Sequence, residues 1–158
     1  MTEMTDPSDA LVSFQQALRR GDIDLHSGAI DPRVFLHVDR PDGAMRFTYV
    51  TLDGDTVTAF VEFVQVEPID DVLCFQVGWA VPIAFRNQGR AVGIMRAAVV
   101  ELKRGLGRNG IPAFHVEAVV GETNIASQRV AAQTISESST QIIDKVSGLP
   151  ALRYVGKF

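Results

Sequence analysis

One cysteine, Cys74, stands in 158 residues, which excludes an intrachain disulfide framework and a cysteine-rich zinc site in the monomer and leads us to expect a reducing, cytoplasmic setting. No run of about 18 apolar residues occurs, so no membrane span is expected. The opening MTEMTDPSDA carries acids and no apolar stretch. It is expected to be neither a signal peptide nor a transit peptide, and residues 1 to 6 are expected to be disordered. Basic residues are not in excess either, since the formal net charge is -4, which argues against a general binder of nucleic acid or of anionic membranes. Any anionic ligand must then be held by local geometry. The three histidines, His26, His37 and His115, share no ligand spacing, so no metal is expected. A Walker loop lacks its Gly-Lys-Ser/Thr, and a dinucleotide fold lacks its Gly-x-Gly-x-x-Gly.

What is present is a hydrophobic content of 46%, enough for one compact domain spanning residues 1 to 158. Asp6-Pro7 is a cap and first-turn pair, and Leu11, Phe14, Ala17 and Leu18 recur at helical spacing until Gly21. Residues 22 to 32 read as irregular. Strands are predicted at Val34 to Val38, Met45 to Leu52, Thr56 to Val66 and Val72 to Val81, joined by turn residues such as Pro41-Asp42-Gly43 and Asp53-Gly54-Asp55. Four strands on short turns form an antiparallel meander.

The period then changes. Val92, Met95, Val99, Leu102 and Leu106 mark one face of a helix from Gln88 to about Leu106, with Ala91 and Ala98 alongside and Asn109-Gly110 as its stop. Pro112 to Val120 reads as a strand and Asn124 to Thr134 as a second helix. A helical crossover returns its second strand parallel to the first, so Val72 to Val81 and Pro112 to Val120 should be parallel neighbours. Thr140 to Val146 and Ala151 to Phe158, around Ser147-Gly148-Leu149-Pro150, predict a terminal hairpin.

The chemistry concentrates at the strand-to-helix passage Val81-Pro82-Ile83-Ala84-Phe85-Arg86-Asn87-Gln88-Gly89-Arg90-Ala91-Val92. The first N–H groups of a helix have no internal partner and lie at the positive end of its dipole, which suits a phosphate there. Gly89 and the small Ala91 permit close backbone approach. The bland alternative is that both merely let the helix pack near the sheet.

This segment resembles the central signature of the GCN5-related N-acetyltransferase (GNAT) superfamily, Arg/Gln-x-x-Gly-x-Gly/Ala after the fourth strand, through Arg86, Gly89 and Ala91. Glu117 to Val130, with Asn124 and Ser127, resembles the strand and Asn-x-x-Ser helix of its ribosomal-protein and small-molecule branch. The resemblance spans roughly residues 45 to 135. It implies an α/β (α+β) fold: a mixed, mostly antiparallel sheet, a V-shaped splay between two parallel strands, and helices on both faces. It implies acetyl-CoA as co-substrate, with the pyrophosphate on Arg86, Asn87, Gln88, Gly89, Arg90, Ala91 and Val92. The pantetheine arm would pair with backbone near Trp79, Ala80 and Val81 and with the side-chain amide of Asn124. The implied partners are acetyl-CoA and a primary amine of a small molecule, amino acid or protein terminus, which attacks the thioester directly; a homodimer is one open option.

Acyl transfer needs a neutral amine, a polarised carbonyl and a proton for the thiolate. A strand N–H near Val81 is the expected donor to the carbonyl. The tyrosine that the superfamily often uses as acid, seven residues after the Asn, is replaced by Ala131. Ser127 and Tyr154 are the remaining candidates, with helix polarity and strand packing as their ordinary explanations. Glu117 and Glu62, each in an apolar strand, are candidate bases, and an outward-facing position is the commoner explanation for either. Arg90 and Arg129 are the first candidates for the adenosine 3'-phosphate. A helix also precedes the first strand here, where the superfamily usually begins with a strand and two helices, so the acceptor pocket is left to residues 22 to 40, the terminal hairpin or a second subunit. Ala131 keeps a second function class open, a non-catalytic acyl-CoA-binding or regulatory module.

Overall fold

The computed structural model describes residues 7–158; the Asp6 cap and the disorder expected of residues 1 to 6 lie outside the described residues. The chain runs α1 (Pro7–Arg19), β1 (His26–Ser27), β2 (Val34–Asp39), β3 (Arg46–Asp53), β4 (Thr56–Ile69), β5 (Val72–Ala80), α2 (Arg90–Arg108), β6 (His115–Gly121), α3 (Ile125–Thr134), β7 (Thr140–Ile143) and β8 (Pro150–Lys157). The strands form one eight-stranded sheet in the order β1-β2-β3-β4-β5-β6-β8-β7. The segment read as irregular holds the two-residue β1, paired with Leu36 and Phe35 of β2. The strand expected from Pro112 starts at His115. The terminal hairpin forms, and β8 lies between β6 and β7.

Every pairing in the sheet is antiparallel except β5 with β6. That parallel pair has only the register partners Cys74↔His115, Phe75↔Val116 and Gln76↔Glu117. On its outer side β5 stays paired with β4 as far as Phe60↔Ala80, and β6 stays paired with β8 as far as Gly121↔Ala151. The two strands are parallel, as the crossover spacing implies, and part like a V beyond Gln76 and Glu117, as the family resemblance implies.

Alternation along the strands builds two apolar layers. Ala59, Val61, Phe63, Phe75, Val77, Val116 and Ala118 meet Ile94, Met95, Ala98 and Leu102 of α2 and Ala131 of α3. On the other face Val50, Phe60 and Ala80 meet Leu11 and Phe14 of α1, with the Phe14 ring edge-on to Phe60 at 5.8 Å. Helices thus cover both faces. Where the superfamily resemblance implied two helices after the first strand, a short 3-10 turn, Pro41–Gly43, joins β2 to β3. Cys74 is buried, and burial pushes its thiol up to about 11, so it is a packing residue at neutral pH.

Two buried carboxylates differ in how they are satisfied. Glu101 of α2, 8% exposed, accepts N–H bonds from Ala29 at 3.0 Å and from Ile30 and Asp31 at 2.7 Å each. It pins the 28–31 loop to the helix. Glu62 of β4, 5% exposed, has no hydrogen bond or ion pair among the described residues, and burial raises its pKa above the ordinary carboxylate value against a smaller opposing pull from Arg46.

Glu101→Ala leaves several buried donors unpaired and should cost about 3 kcal/mol in denaturant unfolding. Glu62→Gln should act in the opposite sense. A carboxyl whose folded pKa is raised costs nothing below the ordinary carboxylate range and destabilises as pH rises through the raised value. The Tm of Glu62→Gln relative to the parent chain should therefore increase from pH 4 to pH 8; a difference that shrinks over that range would contradict the assignment.

Candidate functional site

The V between β5 and β6 opens into a cleft of about 550 Å³. Val77, Gly78, Trp79, Ala80 and Val81 form one wall, Ala118, Val119, Val120 and Gly121 the other, and the starts of α2 and α3 close its ends. Among the described residues the charged side chains on its lining are Arg86 and Arg90, with no carboxylate. In a chain of net charge -4, this is a local reversal of sign that favours an anion.

The turn into α2 is built for the same purpose. After Val81 the chain makes a 3-10 turn at Ile83–Phe85, and the Arg86 Nε donates to the Val81 carbonyl at 2.9 Å, tying the turn to the strand end. Asn87 (φ 62) and Gly89 (φ 72) are both left-handed. Gly89 caps α2 without a side-chain hydrogen bond, and the first backbone bond of the helix runs from Gly93 N–H to the Gly89 carbonyl at 3.0 Å. Among the described residues, no backbone N–H from Asn87 to Val92 donates to a protein acceptor. Such a run of free donors at a helix start is an anion cradle.

The packing explanation for Gly89 fails on geometry. A Cβ built on it would meet nothing within 4 Å. Its glycine identity answers to the positive φ and to an open front, where a ligand approaches backbone, rather than to a protein neighbour. Arg90 is held over the Phe85 ring at 5.1 Å and by the Gln88 side chain at 3.0 Å, which fixes a cation at the cleft rim.

On the facing wall Asn124 caps α3, its Oδ1 accepting the Ser127 N–H at 3.1 Å. The cap occupies the oxygen and leaves the Nδ2 donor at the cleft. Gln128 braces the β6–α3 turn by donating to the carbonyls of Gly121 at 3.1 Å and Glu122 at 2.8 Å.

Of the cofactor residues expected from sequence, Trp79, Ala80, Val81, Arg86, Asn87, Gly89, Arg90, Ala91, Val92, Asn124 and Ser127 all line this cleft. Gln88 does not: its side chain supports Arg90 and it lines a neighbouring cavity of about 640 Å³ under α2. The catalytic candidates divide. Ser127 lines the cleft, whereas Tyr154 is 5% exposed inside the apolar layer beneath α2 and α3. Glu117 is held by the Arg153 Nη2 at 2.8 Å and is not on the cleft wall, because its register neighbour Gln76 is the last residue of β5 paired to β6. Ala131, at the position of the missing tyrosine, is fully buried against α2. Pro7 and Ser8 at the start of α1 also line the cleft, and no residue pattern announced them. Among the described residues, no group of three or more His, Cys, Asp or Glu is arranged to hold a metal, and no helix is long and apolar enough to cross a membrane.

No protein-family model and no curated protein matches the chain. Solved structures do. An acetyltransferase of the GNAT family from Streptococcus pneumoniae aligns at TM-score 0.56 with 11% identity, over 99% of this chain and 98% of that one. A GnaT-family acetyltransferase from Bordetella pertussis aligns at 0.52 with 17% identity over 72% of this chain, and the ribosomal alpha-N-protein acetyltransferase RimL, in complex with coenzyme A, at 0.51 with 18% identity over 70%. The matched part spans 65% of the Bordetella protein and 60% of RimL, less than two thirds of either. By these alignments the chain, a mixed sheet with one parallel pair and helices on both faces, has the fold of the GNAT-family acetyltransferases.

Proposed function

We propose that the chain is an acetyl-CoA-dependent N-acetyltransferase acting on a primary amine. The observation that carries this reading is the joining, in one cleft, of a free-donor turn from Asn87 to Val92 with the parted edges of β5 and β6. A pyrophosphate fits the first, since both need many N–H donors and positive potential. A pantetheine arm fits the second, because its amides are the partners that a splayed strand edge lacks.

In this reading the pyrophosphate lies on the Asn87 to Val92 amides with Arg86 and Arg90 beside it. The arm runs along Trp79 to Val81, and the Asn124 Nδ2 donates to one of its carbonyls. The amine nitrogen attacks the thioester carbon while a strand N–H near Val81 stabilises the developing oxyanion; the C–S bond breaks and the thiolate takes a proton. With Tyr154 in the core and Glu117 bound to Arg153, Ser127 is the candidate that remains on the cleft to pass that proton, directly or through water. The acceptor is a small amine, an amino acid or a protein terminus. The buried Ala131 favours one alternative, an acyl-CoA-binding module without turnover.

Acetyl-CoA at about 100 times its Kd should stabilise the fold by about 2.7 kcal/mol, read as a thermal shift. Gly89→Trp is strained by the positive φ, at a cost of about 1 to 2 kcal/mol, but should remain folded because its side chain projects into open space, and should lose the shift. No shift with acetyl-CoA, CoA or longer acyl-CoAs would overturn the proposal, and an intact shift in Gly89→Trp would overturn the site. Ser127→Ala should lower kcat for CoA-thiol release by about tenfold or more with acetyl-CoA affinity nearly unchanged. An unchanged kcat removes Ser127 from the mechanism; binding without thiol release across a broad amine panel favours the module.

A further inference from the structure

The second cavity, of about 640 Å³ beneath α2, is the largest feature that the proposed reaction leaves unused. Among the described residues it takes no lining from β5, β6 or α3, so the parted strand edges do not open onto it. It shares only Phe85, Gly89 and Arg90 with the cleft. The two spaces meet back to back at the turn that the acetyltransferase reading gives to the pyrophosphate.

Two departures from regular structure keep this cavity open and polar. Gly93 stands inside α2, where glycine weakens a helix relative to alanine. No close packing asks for it: a Cβ built there meets nothing within 4 Å, and its bare backbone widens the cavity. On the floor, the β3–β4 ladder shifts register. Thr51 faces Ala59 and Leu52 faces Val57, which leaves Thr58 as an extra, bulged residue. The bulge sets the Thr58 hydroxyl 2.7 Å from that of Thr51, and both residues line the cavity. Two hydroxyls carry two hydrogens and their mutual bond uses one. The other has no protein acceptor among the described residues, although Thr58 is only 3% exposed.

The charges decide what fits. Asp31, Arg33, Asp53 and Arg90 are the charged residues of the lining among those described. Asp31, fixed by its N–H bond to Glu101, is neutralised by Arg33 through bonds of 3.0 and 3.1 Å. One carboxylate and one guanidinium remain. Asp53 makes no side-chain hydrogen bond or ion pair among the described residues. Arg90 spends its Nε on Gln88 and one face on the Phe85 ring, which leaves its Nη donors without a protein acceptor. A polyanion would meet Asp53 and a polycation would meet Arg90. An apolar ligand would bury a free hydroxyl hydrogen unpaired. A small zwitterion satisfies all three groups, its ammonium on Asp53 and its carboxylate on Arg90 and the free hydroxyl hydrogen.

We propose that this cavity is a second binding site, for small zwitterions of the amino-acid class, and that its occupation weakens coenzyme A binding at the cleft through the shared Arg90. The coupling rests on the acetyltransferase reading, which sets the pyrophosphate beside Arg90. A carboxylate on the far side of that guanidinium takes donors from the pyrophosphate and adds a like charge near it. By linkage, coenzyme A weakens the zwitterion by the same factor.

The test is calorimetric titration of CoA, which has no acyl group to transfer, into the parent chain with and without each standard amino acid at millimolar concentration. At least one amino acid should raise the Kd for CoA by about fivefold or more. Its N-acetyl and methyl ester derivatives, each short of one charge, should leave that Kd unchanged. Asp53→Asn, which removes the carboxylate, and Gly93→Leu, which fills the cavity, should bind CoA as the parent does and lose the response. These variants separate the second site from an amino acid bound as acceptor in the cleft. A Kd for CoA that no amino acid changes, a methyl ester as effective as the free amino acid, or a full response in Asp53→Asn overturns this inference alone. Failure of the parent to bind CoA overturns the acetyltransferase reading and this inference with it.

Discussion

The parting of β5 from β6 after Gln76↔Glu117 is the constraint on which the rest of the molecule depends. A sheet normally continues its ladder, since unpaired backbone groups away from water are costly. Here each strand keeps its outer neighbour, β4 for β5 and β8 for β6, and gives up its inner one. The outer ladders carry the stability, and the inner edges are released for a ligand that can behave as a strand. The starts of α2 and α3 lie at this opening because each helix follows one of the parted strands. A helix start with free N–H donors and an unpaired strand edge thus arise from one feature of the topology.

Electrostatics follow the same division. The chain is acidic overall, yet among the described residues the cleft lining carries Arg86 and Arg90 and no carboxylate. Carboxylates elsewhere are mostly spent on structure: Glu101 on the N–H groups of the 28–31 loop, Glu117 on Arg153, Asp39 on Arg46. Glu62 departs from this pattern: it is buried without a hydrogen bond among the described residues.

Much of this was legible before any coordinate. The change from alternating residues in Met45 to Val81 to the helical spacing of Met95, Val99, Leu102 and Leu106 marks the crossover, and the crossover dictates a parallel pair. Gly89 and Asn124 were identifiable through the resemblance to the family's two signatures, and the structure gives the first a positive φ and the second a side-chain cap. Tyr154 and Glu117, offered by the sequence as catalytic candidates, do not line the cleft, because facing direction depends on register, and register across β6 and β8 is set by packing far along the chain. No spacing marks Glu101 in the sequence; only the return of residues 28 to 31 to α2 reveals it as their acceptor. The contribution of Pro7 and Ser8 to the cleft follows from where α1 docks, which no spacing encodes.

The central claim is that the Asn87 to Val92 amides and the β5 edge together receive coenzyme A. Amide hydrogen exchange with and without CoA measures this directly, because the Asn87 to Val92 donors have no protein acceptor among the described residues. The account predicts that CoA slows exchange in two separate segments, Asn87 to Val92 and Val77 to Val81, while the distant β2–β3 hairpin is unaffected. Protection confined to other segments, or none at saturating CoA, would contradict it.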